Sequence, residues 1–159
     1  MGRLGICCFS TLQDSFLQWS HYSDYHKGIC LKFDLTQDPD FFMIPIIVSY
    51  RKVMQHYNHF TSSDNIVEYL IKPKYDDWSY ESEVRVVKKH AGSDVAKAGD
   101  KSYRFKDAAL TEIIFGAKTP DDVIEHYKQL CAASNKTHVA FSKMELGSGV
   151  HYELIKVPA

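Results

Sequence analysis

The stretch that most constrains this chain is Thr119-Pro120-Asp121-Asp122, a helix start with a hydroxyl cap, a proline in the first turn and two carboxylates at the positive end of the helix dipole. Val123, Ile124, Tyr127, Leu130 and Cys131 follow at helical spacing. Strand-like runs, Glu112 to Gly116 and His138 to Met144, stand on either side. The pattern predicts a helix over 120–133 inside a β-α-β unit, with a right-handed crossover if the strands lie parallel in one sheet. Gly147-Ser148-Gly149 then turns the chain into a last strand, His151 to Val157, so the unit ends in a hairpin.

Upstream, Ile6 to Ser10 is strand-like, and Thr11 with Asp14 three residues later forms a helix-start signal. Leu12, Phe16 and Trp19 continue at helical spacing, which predicts an amphipathic helix over 12–24, followed by a turn that Gly28 ends before a strand, Ile29 to Asp34. Residues 35–45 have loop chemistry around Asp38-Pro39-Asp40, and Pro45 leads into a β-branched run, Ile46 to Tyr50. A third helix is expected over 64–72, ending ahead of Pro73. Tyr80 to Lys88 is predicted as a strand, with Glu81, Glu83 and Arg85 on one face and Tyr80, Val84 and Val86 on the other. Residues 91–102 hold two glycines and mixed charges and are expected to form a mobile loop. Together these elements predict an α+β fold: a mixed sheet with about three helices, 12–24, 64–72 and 120–133.

The 159 residues suit a single domain spanning 1–159. A net charge of −1 supplies no long-range field for phosphate backbones, so broad nucleic-acid binding is disfavoured. The longest apolar run, Phe41 to Val48, is broken by Pro45 and is too short to span a bilayer. The opening residues lack a signal-peptide core, and a cytoplasmic location is expected. Cys7, Cys8, Cys30 and Cys131 have neither a C-x-x-C pair nor metal-ligand spacing. They are expected to be reduced thiols in the core, and no metal site is expected.

Two segments concentrate chemistry. In Trp19-Ser20-His21-Tyr22-Ser23-Asp24-Tyr25-His26-Lys27-Gly28, a continuing helix would put His21 and Asp24 on one face, where the carboxylate could orient the imidazole as a base. The same residues equally suit a packed helix end with a solvated turn. His21 and His26 are five apart, on different faces of such a helix, which disfavours a shared metal. In the second segment, Lys74 to Arg85, two carboxylates and a guanidinium lie along one predicted strand face beside Trp78 and Tyr80. That array could hold a ribose while a ring stacks a base, or it could be a solvated sheet face of paired charges. No dinucleotide, Walker, nucleophile-elbow or zinc-protease motif occurs.

Taken in order, Ile6 to Ser10, Trp19 to Tyr22, His26 to Cys30, Phe33-Asp34, Val48, Tyr50, Lys74 and Trp78 to Arg85 resemble a bacterial family. It is the uncharacterised domain of unknown function twenty-nine seventy-one, frequent near phage-defence genes and mobile elements. The resemblance covers most of residues 5–116 and implies no activity. Members generally begin with a further segment, bearing a tyrosine-rich strand and an F-N-D-P-F-like turn, that this chain does not show. A shortened, partner-dependent version, with a homodimer as one form, is the expectation.

The resemblance implies that the polar motif positions gather at one cleft. His21, Glu83 and Glu81 are then the candidate catalytic groups, and Tyr22, Asp24, His26, Lys27, Trp78 and Arg85 the candidate ligand contacts. The leading expectation is a pocket for a nucleotide or similar phosphorylated small molecule, in a phage-defence or mobile-element effector. One variant is ADP-ribosyl transfer from NAD, where Glu81 or Glu83 would bind ribose and stabilise developing positive charge. The rival is a non-catalytic module that binds a protein partner or a second copy of itself.

Overall fold

A computed structural model describes residues 4–53, 56–58, 60, 67–89 and 103–159. In chain order the elements are β1 (Leu4–Ser10), α1 (Phe16–Tyr22), β2 (Ile29–Phe33), α2 (Pro39–Phe42), β3 (Ile46–Ile47), β4 (Ser49–Arg51), β5 (Pro73–Tyr75), β6 (Glu83–Lys89), β7 (Leu110–Phe115), α3 (Asp121–Ala133), β8 (Ala140–Leu146) and β9 (Leu154–Pro158). Short 3-10 turns occupy Leu35–Gln37, Asp76–Glu81 and Asp107–Ala109, and a π-helical turn occupies Val67–Ile71. The fold is α+β. It divides into two compact units, one of residues 1–12 and 42–103, the other of residues 13–41 and 104–159.

The second unit is built on a mixed sheet in the order β2-β7-β8-β9. Strand β7 runs antiparallel to β2 and parallel to β8, and β9 returns antiparallel to β8. The parallel pair flanks α3, so the β-α-β unit and its closing hairpin form as their sequence signals predict. Alternation along β7 explains why this strand is apolar on both sides. Ile113 and Phe115 pack with Ile124 and Cys131 of α3. Ile114 instead joins Trp19 of α1, Met144 and Leu154. The two helices therefore cover opposite faces of one sheet.

The first unit combines an antiparallel sheet in the order β1-β6-β3 with a parallel pair, β4-β5. Among the described residues Phe42, Val48, Ile71 and Val86 are its buried apolar side chains, with Phe9 edge-on to Phe42 at 5.7 Å. The run expected as one strand from Ile46 to Tyr50 breaks at Val48. Its first half joins β6 and its second half joins β5.

Several expectations change. The first helix covers Phe16–Tyr22 rather than 12–24, because Ser15 is the cap, its side chain accepting from the Gln18 N–H at 3.4 Å. The Thr11 hydroxyl is engaged elsewhere, 2.8 Å from the Ser82 hydroxyl. Thr119 is not a helix cap either: its hydroxyl donates to the carbonyls of Lys27 (3.0 Å) and Gly28 (3.1 Å). Of the helix expected over 64–72, only the π-helical turn Val67–Ile71 falls among the described residues, since 64–66 lie outside them. The strand expected from Tyr80 begins at Glu83, because Asp76–Glu81 coil into a 3-10 turn that left-handed Ser82 (φ 44) redirects. Cys7 and Cys8 are exposed rather than buried, while Cys30 is half-buried and Cys131 buried. The segment 91–102, expected as a mobile loop, lies outside the described residues.

Candidate functional site

In the first unit the polar residues of the Lys74–Arg85 segment converge on one buried ion network. Strand β5 sets Lys74 beside Tyr50 in parallel register, which sends both side chains to the same side. The turn at Ser82 is tethered by the Ser10 hydroxyl donating to the Glu81 carbonyl (2.7 Å) and the Thr11 N–H donating to the Ser82 carbonyl (3.1 Å). It delivers Glu81 and Glu83 to the Lys74 ammonium, which pairs with both, at 2.7 Å in the case of Glu83. Arg85 Nε donates to the other Glu83 oxygen at 2.7 Å and its guanidinium also reaches the Ile71 carbonyl. The Tyr50 hydroxyl accepts the Glu83 N–H at 2.7 Å. Trp78, its ring tilted against that of Tyr80 with centroids 6.0 Å apart, lies 5.2 Å under the Lys74 ammonium.

Glu81 and Glu83 are only 6% and 5% exposed, a placement that costs several kcal/mol per ion unless each charge is matched. Here each one is. Burial alone would raise the Glu83 carboxyl, but hydrogen bonds from Arg85, Cys8 and Lys74 outweigh it and hold the group at about 2. Burial likewise opposes the Lys74 charge, and the bonds to Glu81 and Glu83 more than offset it, leaving the amine raised. Cys8 is exposed overall but lies against the ion network, where partial desolvation and then the Glu83 carboxylate push its thiol up to about 11. Glu83 so held is a weak proton acceptor, Lys74 is no amine nucleophile, and Cys8 is a protonated thiol.

The same unit contains a cavity of about 430 Å³ on which Arg51, His56, Tyr57, Tyr69, Lys74 and Tyr75 all border, with Val53, Leu70 and Pro73 as its apolar wall. Arg51 pairs with Tyr75 in register while Tyr50 pairs with Lys74, and Lys74 borders both the cavity and the ion network. Arg51 Nε donates to the Ser49 hydroxyl at 3.2 Å, and the rings of Tyr57 and Tyr69 meet at 5.7 Å. Arg51, His56, Tyr57 and Tyr69 were not among the residues expected from the sequence. No local motif joins them, because the residues come from segments about twenty positions apart.

The first polar segment lies in the second unit and is a clasp. The helix ends at Tyr22, so the His21–Asp24 pairing that a continuing helix would create is not made. Asp24 instead lies 3.9 Å from Lys27. Asp24, Tyr25 and His26 are all left-handed (φ 46, 54 and 71), a conformation that costs roughly 1 kcal/mol or more per non-glycine residue. The compensation is a set of bonds closing the turn. The Ser23 hydroxyl donates to the Trp19 carbonyl (2.6 Å), the His26 N–H to the same carbonyl (3.1 Å), and the Gly28 N–H to the Ser23 carbonyl (2.7 Å). Gly116 must be glycine, since a Cβ there would overlap the His26 carbonyl.

The His26 ring is 5% exposed, 4.7 Å from the Phe16 ring, and its Nδ1 has no hydrogen-bond partner. Burial, followed by the charge of Lys118, lowers its pKa. Around it His21, Tyr22, Asp24, Tyr25 and Lys27 are exposed. The same unit has a further buried carboxylate that local spacing did not reveal. Glu112 accepts from Ser142 (2.5 Å) and Lys156 (3.1 Å), with Lys32 at 3.4 Å.

The expected residues thus divide between the units: Glu81, Glu83, Arg85 and Trp78 gather in the first, and His21, Tyr22, Asp24, His26 and Lys27 in the second. Among the described residues no group of His, Cys, Asp and Glu is arranged to hold a metal ion, and no helix is long and apolar enough to cross a membrane. No curated protein and no solved structure matches the chain. The model of the family described as "Protein of unknown function (DUF2971)" matches residues 18–86, and this is the family that the resemblance in the sequence names.

Proposed function

We propose that the chain binds a small phosphorylated, ring-bearing ligand of the nucleotide class in the cavity of the first unit. The observation that carries this reading is the pairing of Arg51 with a tyrosine-rich wall, Tyr57, Tyr69 and Tyr75, around about 430 Å³, a volume within the usual range for small-molecule sites. A guanidinium suits a phosphate and aromatic rings suit a base. Glu81, Glu83, Arg85 and Trp78 act from behind, fixing β5 and β6 so that the wall keeps its shape. ADP-ribosyl transfer from NAD gains less support, because both carboxylates are committed to Lys74. A place in phage defence or on mobile elements is part of the proposal only through the resemblance.

A thermal-shift screen of nucleotides tests the reading. At least one should raise the melting temperature of the wild type and lose most of that effect in Arg51→Gln. No shift with any nucleotide would remove the proposal. The second reading, a non-catalytic module that binds a protein or its own copy, is favoured by one observation. Tyr22, the last residue of α1, and Tyr25, in the left-handed turn that follows, are 65% and 68% exposed, and tyrosine is enriched at interfaces.

A further inference from the structure

We infer that the clasp of residues 23–28 is a latch that acid opens: it stays shut while the buried His26 ring is neutral and comes free as a local unit, with the sheet of the second unit still folded, once the ring takes up a proton. The inference does not draw on the ligand cavity, whose lining belongs to the first unit. The clasp ties the end of α1 to the chain between β7 and α3. On the α1 side the Ser23 hydroxyl and the His26 N–H both donate to the Trp19 carbonyl, at 2.6 and 3.1 Å. On the other side the Gly116 N–H donates to the Gly28 carbonyl (3.0 Å) and the Lys118 N–H to the His26 carbonyl (2.9 Å). The buried Thr119 hydroxyl adds its bonds to the carbonyls of Lys27 and Gly28. These bonds hold Asp24, Tyr25 and His26 left-handed in succession, a costly conformation for residues with a Cβ, so the closed form already carries part of the free energy of opening.

The His26 ring is the pin of this latch. Phe16 of α1 packs on it at 4.7 Å between centroids, and Tyr152, from the β8–β9 connection, packs on Phe16 at 5.4 Å. An imidazolium carries an N–H on both ring nitrogens, so protonation leaves a buried Nδ1–H that nothing accepts. Lys118, from the β7–α3 connection, has a charge whose sign opposes a proton on the ring. The carboxylate of the turn, Asp24, is exposed and lies 3.9 Å from Lys27. Burial and then the Lys118 charge lower the pKa of the closed ring. Opening returns the ring to water, where histidine takes up its proton near about pH 6.5. Below that point the open form binds more protons than the closed one, and acid favours opening.

The test is native-state amide hydrogen exchange of the full chain followed by NMR, with each rate expressed as a protection factor so that the intrinsic pH dependence of exchange cancels. The reporters are the Lys27 and Gly28 amides, which donate to the Ser23 carbonyl inside the clasp, and the Ile114 amide in the middle of β7. In the wild type the clasp amides should be less protected than Ile114, respond little to low concentrations of urea, and lose about ten-fold in protection between about pH 7 and pH 5. His26→Asn keeps a residue that tolerates the left-handed conformation and should reduce that loss to less than about two-fold. Lys118→Gln keeps the backbone N–H that ties the clasp but removes the opposing charge, and should reduce the loss to about three-fold. This second variant decides the matter where His26→Asn does not fold. Clasp amides whose exchange rises with urea in step with Ile114 overturn the inference, because the clasp then opens only with the whole unit. An acid-induced loss that is absent in the wild type, or unchanged in either variant, overturns it as well.

Discussion

Glu83 and His26 carry their burial in opposite ways. Glu83 is matched on both oxygens, so Glu83→Gln leaves Lys74 and Arg85 short of a counter-charge and should cost about 3 kcal/mol of stability in denaturant unfolding. A loss under about 1 kcal/mol would mean that the network is solvated rather than buried. Because its folded value, about 2, lies below the ordinary carboxylate range, the stability Glu83 contributes is complete above about pH 4.5 and is lost as pH falls from there towards about pH 2. His26 is buried without a partner for Nδ1, and its pKa is lowered. The unfolded chain therefore takes up a proton near about pH 6.5 that the folded turn resists, so stability falls as pH drops below that point. His26→Asn keeps a residue that tolerates the left-handed conformation and removes the titration. Its unfolding midpoint should lose less between about pH 7 and pH 5 than that of the wild type, and an unchanged slope would contradict this account. The sequence marked Glu81, Glu83 and Arg85 as a charged row, but that Lys74 is the shared partner of the two carboxylates was hidden. The lysine sits seven and nine positions upstream, a spacing that means nothing until β5 and the 3-10 turn exist.

Elements whose signals are local were the legible ones. Strand β7, helix α3, strand β8 and the closing hairpin each have a period or a glycine turn of their own, and all form in the expected order, the strand bounds shifting by up to three residues. The breaks between elements were not legible. Val48 and left-handed Ser82 re-aim strands through contacts with distant residues, and Ser15 displaced Thr11 as a cap because Thr11 is held by Ser82. The clasp after α1 is a case of local strain maintained by distant support, and it depends on the end of β7. Gly116→Ala should force the His26 carbonyl away and destabilise the protein by about 2 kcal/mol or more, because what must move is backbone. Retention of wild-type stability in that variant would show that the turn adapts.

At the scale of the whole molecule, the chain builds two units from interleaved segments, and the family match over residues 18–86 crosses from one into the other. Composition could bound the size, but it could not reveal that division. The cavity was illegible for a related reason. Arg51, His56, Tyr57, Tyr69 and Tyr75 become neighbours only once β4 and β5 pair in parallel, a register that depends on contacts between segments about twenty residues apart. The central claim is that ligand binding belongs to this cavity and not to the exposed aromatic turn. Isothermal titration calorimetry with the nucleotide that most stabilises the wild type, run on Arg51→Gln and on the Tyr22→Ala/Tyr25→Ala double variant, tests it most directly. The account predicts that Arg51→Gln weakens binding about ten-fold or more while the double variant binds like the wild type. Full affinity in Arg51→Gln with binding lost in the double variant would contradict it.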